Sequence, residues 1–209
     1  MTDDGGSGDD RFQIGQMQIA ARRMDAIITE LLELSRLESA GPASFDNTVD
    51  VGALLMGVKR AFASRKGAAD IVLEINSTAH LRGNIGQLES VVTNLLTNAL
   101  RHTPADGTVT LTWESNKKRA QLVVTDTGEG IAEDDIPRIT ERFFRVDRGR
   151  AREDGGVGLG LAIVKHILSR HDAELVISSR PGQGSEFRCV FPPSRVTAKR
   201  TLDMASAAG

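Results

Sequence analysis

Tyrosine is missing from this 209-residue chain, tryptophan occurs once, and aromatic residues make up only 4 % of it. That scarcity argues against a surface that stacks single-stranded bases. Cysteine occurs once, at Cys189, so no internal disulfide can form. Cys189 sits between Arg188 and Val190 in a strand-like run with no base at catalytic spacing, which predicts a buried structural thiol. No apolar run approaches the ~18 residues of a membrane span, and no signal-peptide pattern opens the chain. The formal net charge of -2, without a dense basic run, gives no pull towards nucleic acid. A cytoplasmic location is expected, with an inner-membrane anchor left open for a longer parent.

What is present is an ordinary soluble balance, 40 % hydrophobic and 26 % charged, in a length that allows one well-buried domain plus an appendage. Residues 1–10, rich in Gly and Asp, read as a flexible tether. Residues 11–41 follow a helical pattern. Met17, Met24 and Leu31 form one heptad row, Ala20, Ile27 and Leu34 a second, and Ala21, Ile28 and Leu32 widen the seam. A seam this apolar asks for a partner helix, and Gly41-Pro42 separates it from the rest of the chain.

Residues 42–192 read as a compact α/β unit, and 193–209 as a small, polar, disordered tail. Asp50 is placed to cap a helix running to about Lys66, and Ile71–Ile75 alternates like a strand. A long helix spans Ile85 to His102, stopped by Pro104 and Gly107. Thr108–Trp113 and Ala120–Thr125 form a hairpin. After a loop-rich stretch come a helix over Leu159–His171 and strands near Leu175–Ser178 and Glu186–Phe191. The expected fold class is α+β: a two-layer α/β sandwich with a mixed, mostly antiparallel sheet and helices on one face, preceded by one long amphipathic helix.

Four motifs carry chemistry. Asn94 and Asn98 stand at i, i+4 on the long helix, so both amides leave the same side. Their oxygens are hard ligands suited to Mg²⁺, although two surface asparagines would look the same. Asp126-Thr-Gly-Glu-Gly-Ile131 places a carboxylate after a strand, where it can accept from an exocyclic amine or simply shape the turn. Gly155-Gly-Val-Gly-Leu-Gly-Leu161 opens a helix, where freed N–H groups and the helix dipole favour an anion. It fits neither the P-loop pattern nor the Rossmann one. Gly182-Gln-Gly-Ser185 taken singly is a hairpin turn.

In this order the motifs resemble those of the catalytic, ATP-binding domain of bacterial sensor histidine kinases, within the gyrase-like (Bergerat) ATPase superfamily. Glu141-Arg-Phe-Phe-Arg145 resembles that family's phenylalanine box, and Leu31-Leu-Glu-Leu-Ser-Arg-Leu-Glu38 the second helix of its dimerisation hairpin. The resemblance implies ATP and Mg²⁺ as cofactors, with Asn98 as metal ligand and Asn94 assisting. It implies Arg101 or His102 near the phosphates, and Asp126 on the adenine amine with Gly128, Gly130 and Ile131 shaping the base pocket. Phe143 and Phe144 would anchor the ATP lid, and Arg145 would reach the γ-phosphate. Gly156, Gly158, Leu159, Gly160 and Leu161 would close over the phosphates, and Ser185 would back the adenine site. Val157 stands where a threonine is frequent. The implied catalytic set is Asn94, Arg101 and Arg145. The implied partners are a response-regulator receiver domain and either the other dimerisation helix or a second copy.

The family's phospho-acceptor histidine lies in a Ser-His-Glu-Leu-Arg-like box, and His80, His102, His166 and His171 are the only histidines here, none in such a box. The expectation is a chain that holds ATP but does not autophosphorylate on its own. Hydrolytic relatives carry a glutamate where Asn94 stands, and asparagine cannot take a proton at neutral pH, which favours kinase over ATPase. The alternatives are an anti-sigma-type serine kinase or a nucleotide-sensing, partner-binding module of the same superfamily.

Overall fold

The computed structural model describes residues 6–39, 47–63, 69–116, 119–146 and 157–197. In chain order these form helix α1 (Gly6–Ser39), strand β1 (Thr48–Asp50), helix α2 (Val51–Phe62), and strands β2 (Asp70–Ile75) and β3 (His80–Arg82). Next come helix α3 (Ile85–His102), strands β4 (Thr108–Ser115) and β5 (Ala120–Asp126), and helix α4 (Gly160–Arg170). Strands β6 (Glu174–Ser179), β7 (Ser185–Phe191) and β8 (Val196–Thr197) complete the described chain.

Five strands make the main sheet in the order β2-β4-β5-β7-β6, parallel only between β2 and β4. Val109, Leu111 and Trp113 of β4 and Phe187, Cys189 and Phe191 of β7 are buried, while the residues between them are mostly half-buried. That period-two pattern leaves one face to the helices and the other open. Against it α3 turns Leu88, Val91, Val92, Leu95, Leu96 and Ala99, and α4 turns Ile163, Val164 and Ile167. Each such leucine or isoleucine is worth about 1.5–3 kcal/mol when buried, so the stripe on α3 fixes which side of that helix is left for the site. The two-layer sandwich expected from the sequence is the one observed.

Local chemistry sets the ends of the helices. Asp50 Oδ1 accepts from Ala53 N at 2.9 Å and Asn84 Oδ1 from Gln87 N at 3.0 Å, capping α2 and α3. Helix α3 stops at His102 because Thr103, before Pro104, is extended (φ -104, ψ 128). Helix α2 ends at Phe62, short of the expected Lys66, with Ala63 as its C-cap.

Two regions depart further from expectation. Strands β1, β3 and β8 form a second, three-stranded sheet that the sequence does not announce. Its third strand comes from the stretch expected to be a disordered tail: Pro193–Arg195 makes a turn of 3₁₀ helix and Val196–Thr197 pairs with β3. Helix α1 starts at Gly6, inside the expected tether. The remainder of both termini and the Gly41-Pro42 break lie outside the described residues.

Helix α1 is held by its C-terminal end. Leu34 and Leu37 are buried in the common core, Arg170 Nη1 donates to Leu37 O at 3.2 Å, and Arg142 pairs with Glu38. Towards its start, Ile14, Met17, Met24, Ile28, Leu31 and Leu32 are exposed, so most of the apolar seam is uncovered. No described helix is long and apolar enough to cross a membrane.

Candidate functional site

The end of β5 places Asp126 beside Ser185 at the start of β7, because the two strands pair there. Asp126 is only 4 % exposed, and its Oδ1 accepts from Gly128 N at 2.9 Å. Burial pushes its pKa up, opposed by the backbone N–H groups of Gly128 and Ser185 and by nearby His102. Such a carboxylate keeps lone pairs for a donor that enters the pocket.

The two flanking glycine turns close on this strand end. Gly184 has φ 83, and a Cβ there would lie 1.9 Å from Asp126 O, so only glycine permits the approach. Gly182 N donates to Glu129 O at 2.7 Å, tying the Gly-x-Gly-Ser turn to the Asp-x-Gly-x-Gly turn. Ser179, absent from the residues expected at the site, joins them: its Oγ accepts from Ile131 N at 2.8 Å and donates to Gly184 O at 2.8 Å. The Ser185 hydroxyl, 2.9 Å from Ser179 Oγ, must then be the donor to it. The Ser178-Ser179 pair just before Arg180-Pro181 was the available signal, since hydroxyls at turn edges bond the local backbone.

Asn94 and Asn98 are half-buried on α3, whose C-terminal end meets the first glycine turn at His102 and Gly128. Asn94 Nδ2 donates to Ser90 O at 2.9 Å and to Ser90 Oγ at 3.2 Å. Asn98 makes no side-chain hydrogen bond among the described residues. Gly160, the first residue of α4, faces Asn94: a Cβ there would sit 2.7 Å from Asn94 Oδ1. No side chain caps the start of α4. Leu159 is fully buried and Leu161 partly so, which anchors the glycine box to the core from behind.

The phenylalanine box adjoins that glycine box. Phe143 N donates to Gly158 O at 2.9 Å, and Arg138 Cζ lies 4.3 Å from the Phe144 ring centroid. Phe144 packs against the core, whereas Phe143 is 58 % exposed at φ 62. Arg145 is half-buried beside them. Gly155 and Gly156 lie outside the described residues.

Arg101 and His102 end α3. His102 Nδ1 lies 2.7 Å from Glu129 Oε1, which ties the helix end to the first glycine turn. Arg101 is near Glu30 of α1, whose pKa burial raises against the pull of that guanidinium. His171 is fully buried, with Nδ1 2.8 Å from Ile167 O and Nε2 accepting from Asn84 N at 3.3 Å, and burial pushes its pKa down. Cys189 is fully buried with its thiol pushed up to about 12, an inert core group.

A family described as histidine kinase-, DNA gyrase B-, and HSP90-like ATPase matches residues 83–195, more than half of the chain, and spans all four motifs. The chain belongs to that ATPase family. The chain is 42 % identical over 183 residues to the phosphate regulon sensor protein PhoR of Pseudomonas aeruginosa, covering 87 % of this chain and 41 % of PhoR. It is 37 % identical over 182 residues to the sensor-like histidine kinase SenX3 of Mycolicibacterium smegmatis, covering 85 % of this chain and 47 % of SenX3. Among solved structures, full-length ShkA in complex with AMPPNP superposes with a TM-score of 0.76 at 26 % identity, over 91 % of this chain and 40 % of ShkA. The chain thus spans less than half the length of these relatives. The ATPase domain corresponds to the ATP-binding catalytic domain of sensor histidine kinases.

Proposed function

We propose that the chain binds ATP with Mg²⁺ in the cleft between α3, the Asp126 turn and the start of α4, and acts as the phosphoryl-donating part of a histidine kinase. The observation that carries this reading is a buried, hydrogen-bonded Asp126 at the end of β5 together with an Asn94 carboxamide oxygen that faces the uncapped start of α4. Asp126 would accept from the adenine amine, with Gly128, Gly130, Ile131 and Ser185 holding the turn around it. The start of α4, with Gly156, Gly158 and Gly160, would present N–H groups to the phosphates.

The donor set fits a magnesium ion. Asn98 has no protein partner among the described residues, and Asn94 keeps its oxygen on the Gly160 side. Mg²⁺ held by these two oxygens, by phosphate and by water would neutralise charge on the phosphates. Arg101 and Arg145 are assigned to the same task, and His102 to the rim. Phosphoryl transfer relies on positioning and charge, so Asn94 need not be a base. An imidazole nitrogen of the acceptor would attack the γ-phosphorus as its bond to the bridging oxygen breaks, leaving ADP.

The acceptor is assigned to a dimerisation helix outside this sequence, and a response-regulator receiver domain to the next step. The anti-sigma-type alternative is not favoured, because the relatives that match are named sensor kinases and sensor proteins. Incubation with γ-labelled ATP tests this reading. The chain alone should stay unlabelled, and a histidine-bearing dimerisation hairpin added in trans should gain acid-labile label. Acid-labile phosphate on His80, His102, His166 or His171 would refute it.

A further inference from the structure

Ser90 lies one turn before Asn94 on α3 and links that residue to α1. A carboxylate only accepts, so the Ser90 hydroxyl gives its single proton to Glu33 Oε1 at 2.7 Å. The lone pairs of the same oxygen then face Asn94 Nδ2 at 3.2 Å, beside the Ser90 carbonyl oxygen at 2.9 Å. Both neighbours of that nitrogen are acceptors. A flipped carboxamide would set oxygen against oxygen twice, so the hydrogen-bond network dictates the orientation. With its nitrogen held at Ser90, Asn94 turns Oδ1 towards Gly160 and the glycine box, where a Cβ would come within 2.7 Å.

We propose that Ser90, backed by Glu33 of α1, is a positioning residue for Asn94, holding its carboxamide oxygen towards the metal and phosphates. The inference rests on the ATP reading above. It adds that Mg²⁺-dependent nucleotide binding depends on α1 staying docked, because Glu33 belongs to α1 and Asn94 to α3. With Glu33 withdrawn, the Ser90 hydroxyl is free to turn its proton towards Asn94 Nδ2, which leaves the Ser90 carbonyl as the one acceptor holding the amide and loosens the aim of Oδ1 at the cation. The docking contacts of Leu34, Leu37 and Glu38 keep Glu33 in reach of Ser90.

The test is calorimetric titration of the 209-residue chain with β,γ-imido ATP, once with Mg²⁺ and once in excess EDTA. Ser90→Ala and Glu33→Ala should each weaken binding with Mg²⁺ about five- to tenfold, the worth of one net hydrogen bond, and leave binding in EDTA within about twofold. Ser90→Thr keeps the hydroxyl and should restore the wild-type Mg²⁺ dependence. The double variant Ser90→Ala/Glu33→Ala should be no weaker than the weaker single one, because the two act as a unit. An unchanged Mg²⁺ affinity in Ser90→Ala, or an equal loss in EDTA, would overturn the proposal. Asp126→Ala separates the two readings. If it abolishes binding in both conditions while Ser90→Ala behaves as wild type, only the positioning role fails. If the wild type binds in neither condition, both fail.

Discussion

The imidazole of His171 is buried between α4 and the start of α3, with a partner for each nitrogen. Nδ1 donates to Ile167 O, so Nε2 carries the lone pair that accepts from Asn84 N, and the ring is held neutral. Its pKa lies below the ordinary 6.5, because burial penalises the charged form. For a base depressed in the folded state, the unfolded chain binds the proton first. Stability from this ring is therefore complete above 6.5 and declines as pH falls from there towards the folded value. His171→Ala should lose about 2 kcal/mol at neutral pH through its vacated hydrogen bonds and volume. Denaturant unfolding of wild type and variant at pH 7.5 and 5.5 reads both effects, and the gap between them should narrow at the lower pH. A gap that widens would contradict the assignment of a neutral buried ring.

Among the helices, α1 is docked unevenly. Two leucines and the Arg142–Glu38 pair hold its C-terminal end, and an exposed ion pair adds little beside apolar burial. Leu37→Ala should remove about 2–3 kcal/mol from the docking. Limited proteolysis should then cleave within α1 faster while the sheet domain keeps its unfolding midpoint. Equal protection of α1 in the variant would show that the docking does not rest on this contact. The same elements show what the sequence made legible. Helix α3 was marked by its apolar face and its stop at Pro104 and Gly107, and its expected span is the observed one; its Asn84 cap emerged only in the structure. The β4–β5 hairpin showed itself as two β-rich runs about a polar turn. The β1, β3 and β8 sheet did not, because strands of two or three residues are too short for alternation to register, and Leu81↔Val196 pairs across most of the chain. Within the site, Asn94, Asp126 and the glycine turns stood out by residue type and order. Ser179, Ser90 and Glu129 did not, because their roles come from tertiary neighbours: Ile131, Glu33 and His102.

At the scale of the whole molecule, the uncovered seam of α1 and the proposed nucleotide site belong to one chain that spans less than half of its relatives' lengths. Met17, Met24, Ile28 and Leu31 present apolar surface suited to another helix of the same kind. Sedimentation velocity should show association that rises with concentration, and Met24→Lys with Leu31→Lys should abolish it without changing nucleotide affinity. A monomer at every concentration would remove self-pairing as the use of this seam.

The central claim is that the cleft holds ATP by its base through Asp126 and by its phosphates through Mg²⁺ and the start of α4. Calorimetric titration of the chain with Mg²⁺ and a nonhydrolysable ATP analogue tests it most directly, with Asp126→Ala beside the wild type. One site per chain is expected in the wild type and no measurable binding in the variant. Equal affinity in the two proteins would contradict the claim.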